Sequence, residues 1–420
     1  MKYILSFFLI IFSFGICTHS VASRGAIVKA LRTDSIMPED SVVADTIDDE
    51  TNDNMSLPER MQELLKNDIF KRTQVGLYVY DLTADSLVFA YNEQQCMRPA
   101  SNQKMLTAIT ALHELGTNYQ FKTRLYIQKN VADSDSVFNG DIYIRAGFDP
   151  LFDEEDMKAF ADSLKTHHVE QITTPIHLDL SFKDTKQLGW GWCWDDKLTP
   201  LTPLLYKGRD HFVEKLRKTL RNESIAWDGT TDEHITPIDA QLVCQRMHSI
   251  DQVMLPMMKN SDNTMAEALF YQLSAQSGKA WAGRKQAVVS FKNLYRKLGL
   301  IPDHYQVADG SGLSLYNYAT PELLGKALIF AYQHSDIYRH LLPTLPVASH
   351  DGTLSKRMKG STAAFNVHAK TGTVEGVSTL SGYCTAANGN TLCFAIMNQG
   401  IRYTSTGRNF QDRICKALCR

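Results

Sequence analysis

The spacing of apolar and polar positions divides the chain into strand-like runs near both ends and helical runs between them. Residues 75–81 and 87–91 are rich in β-branched and aromatic side chains around the turn-like 82–86, which predicts a hairpin, with a helix over 58–65 ahead of it. Beyond Pro99, residues Met105, Ala108, Ile109 and Leu112 recur at helical spacing, so a helix should open at the proline and bury one face. From about 122 to 229 the texture turns to short strands (124–128, 140–145, 176–180), with a turn at 147–150. Helical spacing resumes at 211–220 and runs through 256–274 and 279–299, and 240–250 reads as a further helix. Thr320, Pro321 and Glu322 form a helix start with an N-cap, an N1 proline and a first-turn acid. Three strands (365–373, 379–385, 391–398) and a short helix from Asn409 close the chain. With strands at both ends, one antiparallel sheet should hold the N- and C-terminal strands, flanked by helices. That is an α+β fold whose main domain spans 58–121 and 230–420, with an inserted, mostly β subdomain at 122–229.

Composition adds the compartment. The N-terminus has Lys2, an apolar run over 3–16 and a small-x-small site at Ser20 and Ala22, which reads as a signal peptide over 1–22. An uncleaved anchor is the alternative, though the run is short for a spanning helix. A lipid-modified Cys17 is disfavoured by the bulky residues before it. Residues 23–57 are acidic and poor in aromatics, as a disordered spacer would be. The formal charge of −2 gives no reason to expect nucleic acid or an anionic membrane surface as a partner. The 420 residues, 44% hydrophobic, can bury a large core, and no later segment is long and apolar enough to span a bilayer. The expected location is therefore the periplasm. Of the eight cysteines, Cys17 leaves with the signal, so the rest cannot all pair within one chain. A two-residue Asn388-Gly389 turn would set Cys384 opposite Cys393 in a close pair, as a cross-strand disulfide or as two buried thiols.

Chemistry enters with Ser101 and Lys104, three apart at the N-terminal end of the helix after Pro99, hence on one face. A hydroxyl beside a partly desolvated lysine is a nucleophile beside a base, but a solvated pair on a helix would have the same spacing. Two further motifs change the balance. Ser261-Asp262-Asn263 lies between two helical runs, and Lys370-Thr371-Gly372 opens the strand-rich end. Ser-x-x-Lys, Ser-x-Asn and Lys-Thr-Gly in this order resemble the serine β-lactamases and penicillin-binding proteins. In that setting Ser101 would attack an amide carbonyl and form an acyl-enzyme. Lys104 would take its proton, helped to neutrality by desolvation and by Lys370. Ser261 would relay a proton to the leaving amine, and Asn263 would hold Lys104 and the substrate amide. Lys370 and Thr371 would meet a terminal carboxylate, and Gly372 would let the substrate backbone add to the strand edge. The N–H groups of Ser101 and Thr373 would form the oxyanion hole. No step needs a metal or a cofactor.

Further stretches narrow the resemblance: Asp141 to Ile144 after Gly140, the tryptophan-rich 189–196, Asp309-Gly310-Ser311-Gly312-Leu313-Ser314, Leu345-Pro346-Val347-Ala348 and Asp351-Gly352-Thr353-Leu354. From about residue 60 onward the chain is similar to the low-molecular-mass class C penicillin-binding proteins, the D-alanyl-D-alanine carboxypeptidase/endopeptidase family. The resemblance implies a β-lactamase/D,D-peptidase-like fold, peptidoglycan stem peptides as substrates and β-lactams as covalent inhibitors. The interval from Ser101 to Ser261 is shorter than the family's two inserted subdomains would need, so one is expected to be missing or vestigial.

Two rivals remain. A serine β-lactamase would need a deacylating base, and helix-end or surface roles are expected of the acids between Asn263 and Lys370, Glu267 and Glu322 among them. A silent envelope scaffold would not need every motif residue intact. Asp149 could face a substrate ammonium, or simply cap the turn before Pro150.

Overall fold

A computed structural model describes residues 55–129, 138–193, 196 and 199–420. The expected signal 1–22, nearly all of the spacer 23–57, and Trp194 and Asp195 of the tryptophan-rich stretch lie outside the described residues. The chain enters through α1 (Leu57–Leu64) and the hairpin β1 (Gln74–Asp81) and β2 (Ser86–Tyr91). A single 3-10 turn, Ala100–Asn102, then leads into α2 (Gln103–Glu114). The insertion follows as β3 (Gln120–Lys129), β4 (Gly140–Arg145), α3 (Glu154–Thr166), β5 (Gln171–Ile172), β6 (Ile176–Asp179), α4 (Phe212–Asn222), β7 (Ala226–Trp227), β8 (Thr231–Glu233) and β9 (Gln241–Ser249). The chain returns as α5 (Ile250–Lys259), α6 (Asn263–Ala275), α7 (Arg284–Lys297), α8 (Pro321–Gln333) and α9 (Ser335–Leu341). It ends in β10 (His368–Val374), β11 (Val377–Thr385), β12 (Thr391–Gln399) and α10 (Thr404–Leu418).

The expected union of the two chain ends is present. The main sheet runs β10-β11-β12-β1-β2, all antiparallel, and β1 pairs with β12 from Gln74 opposite Gln399 to Asp81 opposite Leu392. Its central strand is apolar on both faces, as burial between two layers requires. Cys393, Ala395 and Met397 face a core built from α2 and α5 to α9, while Leu392, Phe394 and Ile396 face a second core with α1 and α10. The start of α8 follows its sequence signals: the Thr320 hydroxyl accepts from the Leu323 N–H at 3.0 Å, a cap worth about 1 kcal/mol. The strand bearing Lys370-Thr371-Gly372, β10, is an edge of this sheet.

The insertion differs from expectation in extent and content. Its five-stranded sheet, ordered β8-β6-β4-β3-β9, reaches from Gln120 to Ser249, beyond the predicted 122–229. Residues 240–250, predicted as a helix, form β9 and the first residue of α5. A short run with weak periodicity does not decide between helix and strand, and β3 needs a partner for its second edge, which β9 supplies from Gln120 opposite Ser249 onward. Two helices also cover this sheet: Met157, Phe160 and Leu164 of α3 and Phe212, Leu216 and Leu220 of α4 share its separate core. The sequence texture predicted α4 but not α3. Because β3 and β9 are neighbours, the chain leaves the main domain and re-enters it side by side.

Cys384 and Cys393 are not a facing pair. Thr385 pairs with Thr391, the Ala386 N–H reaches the Asn390 carbonyl at 2.9 Å, and Gly389 takes φ +84°. The loop between is therefore three residues, 387–389, one longer than the Asn388-Gly389 turn predicts. One residue of slip sends every following side chain to the other face. Cys384 lies opposite Leu392, in the α10 core beside Cys415 and Cys419, whereas Cys393 lies opposite Tyr383 in the helical core. A non-reducing peptide map of the purified protein should contain no Cys384–Cys393 linkage; finding one would contradict this register.

Candidate active site

The nucleophile sits on a tightly held turn. Ala100, just before Ser101, takes φ +47°, unusual for a residue with a Cβ, and such strain persists only where the surroundings enforce it. The restraint comes from the sheet. Asn102 Nδ2 donates to Thr379 Oγ1 at 2.6 Å, that hydroxyl donates to the Pro99 carbonyl at 2.8 Å, and the Ser381 hydroxyl donates to Asn102 Oδ1. Gly312, at φ +79°, presses on the same turn: a Cβ there would stand 1.8 Å from the Ala100 carbonyl oxygen. Gly372 does so from β10, where a Cβ would stand 2.2 Å from Thr379 Oγ1 and 2.8 Å from the Pro99 carbonyl oxygen. The glycine expected to admit a substrate backbone is therefore also required by the nucleophile turn.

Lys104 is fully buried one helical turn along from Ser101. Its Nζ lies 3.1 Å from Ser101 Oγ, 2.7 Å from Asn263 Oδ1 and 2.7 Å from the Ser311 carbonyl oxygen. Burial pulls its pKa down to about 8, against the carboxylates of Asp309, Glu267 and Asp262, which hold the proton on. Ser261 lies in the loop between α5 and α6 with φ +60°, and Asp262 caps α6 by accepting from the Met265 N–H at 3.1 Å. Asn263 opens α6, which fixes its side chain toward Lys104.

Lys370 is also fully buried, its Nζ 2.9 Å from Ser261 Oγ and 2.7 Å from the Thr371 carbonyl. Burial, then the nearby Lys104, pushes its pKa well below the ordinary lysine value. It therefore faces Ser261 rather than the open cleft where a carboxylate was expected to meet it. That cleft, about 450 Å3, is lined by Ser101, Ser261, Thr371 and Thr373, with Thr353 and the cations Lys356, Arg357 and Arg408 around them. Thr371 Oγ1 donates to Thr353 Oγ1 at 2.8 Å. Arg357 is paired with Asp412 at 2.6 Å.

All three motifs thus meet in one place, and the structure adds residues that spacing did not reveal. Glu267, assigned a surface role from its helix, is buried, its Oε1 accepting the N–H groups of Gly310 at 3.1 Å and Ser311 at 2.8 Å. It lies one turn beyond Asn263, and that spacing was the available signal. Asp309 accepts from the N–H groups of Gly312 and Ser314 and the Asn317 side chain at 2.7–2.8 Å, and from Trp192 Nε1 at 2.8 Å. Its loop supplies the Ser311 carbonyl, a backbone atom that no residue-type search would select. Asp149 does not reach this site: it is buried, accepting from the Leu151 N–H at 3.0 Å and bonded to His248 Nδ1 at 2.7 Å, the turn role. Among the described residues no cluster of His, Cys, Asp and Glu is arranged to hold a metal ion.

A serine at the cleft wall backed by a buried lysine at a helix start, a second hydroxyl–lysine pair opposite it and an edge strand beside both define a serine acyl-transfer hydrolase of the penicillin-recognising fold. The family model described as D-Ala-D-Ala carboxypeptidase 3 (S13) matches residues 57–206 and 201–419, so the chain belongs to that family, the class C low-molecular-mass penicillin-binding proteins, and is a serine-type D-Ala-D-Ala peptidase. The D-alanyl-D-alanine carboxypeptidase DacB of Haemophilus influenzae is 23% identical over 420 residues, covering 80% of this chain and 86% of that protein. The crystal structure of penicillin binding protein 4 from Haemophilus influenzae superposes with a TM-score of 0.75 at 21% identity, covering 87% of this chain and 98% of that one. A penicillin G-acylated predatory endopeptidase of Bdellovibrio bacteriovorus matches at TM-score 0.52 and 17% identity, covering 82% of this chain and 93% of that one.

Gly372→Ala should displace the nucleophile turn. Overpacking of this kind costs about 1–3 kcal/mol. Thermal unfolding should move down accordingly, and acylation at Ser101 should slow at least about tenfold, since a small misplacement of reacting groups is that costly. Unchanged acylation would show that the turn does not depend on this contact.

Proposed function

We propose that the protein cleaves peptidoglycan stem peptides through a Ser101 acyl-enzyme, releasing the terminal D-Ala, the D-Ala-linked amine of a cross-link, or both. The observation that carries this is Lys104 Nζ, itself fully buried and held within reach of Ser101 Oγ and Asn263 Oδ1. Lys104 in its neutral form takes the Ser101 proton as Oγ attacks the D-Ala carbonyl. The oxyanion is received by the N–H groups of Ser101 and Thr373. Ser261, held by Lys370, passes its proton to the leaving amine and takes in its place the one that Lys104 received from Ser101, so Lys104 is neutral again, and Asn263 keeps Lys104 and the substrate amide in register. The substrate pairs along β10, its terminal carboxylate against the hydroxyls of Thr371 and Thr373 and the cations at the cleft rim. Water entering in place of the amine gives a proton to neutral Lys104 as it attacks the ester, and that proton returns to Ser101 Oγ as the acyl group leaves, with no metal or cofactor in any step.

A β-lactam presents its amide to the same residues. Glu267 and Asp309, two of the acids that act on Lys104, are buried and do not line the cleft, so neither can activate water there. The amine released from a β-lactam ring stays tethered to the acyl group and obstructs the water that Lys104 would activate, so without a second base on the cleft the penicilloyl ester persists, which separates this reading from a β-lactamase. The expected location is the periplasm, reached through the signal at 1–22; among the described residues no helix is long and apolar enough to cross a membrane.

Intact mass after brief exposure to benzylpenicillin should show one stable adduct, absent in Ser101→Ala. Penicillin destruction without an adduct would point to a β-lactamase, and neither to a silent scaffold. The acylation rate should also follow the neutral fraction of Lys104. It should rise through pH about 8 and fall roughly tenfold per unit of pH well below that value. A flat profile would remove Lys104 as the base.

A further inference from the structure

Glu267 takes no part in the steps above, yet it is the buried group most closely wired to the general base. It projects from α6 one turn after Asn263 and holds the N–H groups of both Gly310 and Ser311. The carbonyl of the same Ser311 receives Lys104 Nζ at 2.7 Å. Carboxyl and amine are thus joined from α6 to α2 through the backbone of one buried residue, the carboxyl holding the Ser311 N–H and the amine meeting the carbonyl of the same residue. The groups facing Lys104 are Glu267 and Asp262 from the α6 end, Asp309 from the loop before α8, and Lys370 from β10. Tyr271, a further turn along α6, faces Glu267 from the other side.

We propose that Glu267 is a positioning residue for acyl transfer: it pins Ser311 by its N–H, so that the carbonyl of that residue stays on Lys104, and its charge sets how readily Lys104 gives up a proton. The inference rests on the Ser101 acyl-enzyme reading. Burial, then repulsion from Asp309, raises the Glu267 pKa to about 8, close to that of Lys104. The charge of Glu267 acts on Lys104, favouring its protonated form. While Glu267 keeps its proton, no negative charge from it holds the Lys104 ammonium, and Lys104 can serve as base. Once Glu267 ionises, its charge favours the protonated amine and opposes further loss of the Lys104 proton. A permanently neutral side chain at this position should therefore move the base's titration to lower pH.

The test is the pH profile of benzylpenicillin acylation, followed by rapid mixing and intact mass, in the wild type, Glu267→Gln and Glu267→Asp. Glu267→Gln keeps an acceptor for the two N–H groups but cannot ionise. It should still form the adduct, with the midpoint of the acid limb about half a pH unit or more lower. Glu267→Asp keeps the charge but falls short of the peptide, so its midpoint should stay in place while the plateau drops about tenfold or more. A Gln variant whose midpoint matches the wild type, whatever its plateau, would reduce Glu267 to structural support and overturn the proposal. Should the Gln variant not fold, infrared spectra of the wild type decide. A carboxylic-acid band should vanish around pH 8, and its absence would overturn the proposal. Wild type that takes no penicillin at all would instead refute the acyl-enzyme reading.

Discussion

The constraint on which the rest depends is that a lysine must be kept in the core, where it holds its proton less firmly than in water. An amine left in water stays charged at neutral pH and cannot act as a base, while an isolated charge buried in a core is very costly. Here Lys104 is buried but given three oxygen neighbours: a serine hydroxyl, an asparagine carbonyl oxygen and a backbone carbonyl. Each belongs to a different segment of chain, and each segment must be held still for the nitrogen to lie between them. Much of the architecture can be understood as the means of holding them. Asn102, Thr379 and Ser381 tie the serine turn to the main sheet, Asp262 caps the helix that carries Asn263, and Asp309 gathers the loop that presents Ser311.

That arrangement explains why the two ends of the chain must meet. Ser101 comes early, directly after β2, and Lys370 late, on β10, yet their side chains belong to one site. The pairing of β1 with β12 places the late strands against the early hairpin, and β11 then supplies Thr379 and Ser381 beneath the nucleophile. The insertion stays compatible with this geometry because it leaves and returns through the neighbouring strands β3 and β9. It is not wholly separate from the site: Trp192 donates to Asp309, so one of its residues helps to hold the loop against which Lys104 rests.

How much of this could be read beforehand depended on where the information lies. Ser101, Lys104, Ser261, Asn263 and Lys370 were legible because acyl transfer needs those side-chain types, and the motifs keep them at short, fixed spacings. The shared sheet was legible from strand runs at both ends, and the start of α8 from Thr320 and Pro321. The Cys384–Cys393 pairing failed on one residue of loop length, a difference that turn chemistry alone did not decide because Asn388-Gly389 fits either loop. The strand β9 was missed because its partner, β3, lies more than a hundred residues earlier in the chain. The Ser311 carbonyl was invisible in principle, since every residue has one. Glu267 had the right helical spacing from Asn263, but a carboxylate on a helix is ordinarily a surface group, and only its burial makes it unusual.

The burial of Lys370 changes the reading of the third motif. In sequence, Lys-Thr-Gly on an edge strand suggests a cation offered to an anionic substrate. In the folded protein the lysine turns inward to Ser261, and the hydroxyls of Thr371 and Thr373 are what the strand presents to the cleft. Burial loosens the hold of both lysines on their protons, and for Lys370 the nearby Lys104 adds to the effect. Each lysine has its own hydroxyl, Ser101 for one and Ser261 for the other, so each amine has a hydroxyl through which a proton can pass. Acylation needs one proton removed from the nucleophile and one delivered to the leaving amine. Two amines sharing a low-dielectric site, neither able to hold its proton firmly, can meet both needs without a histidine.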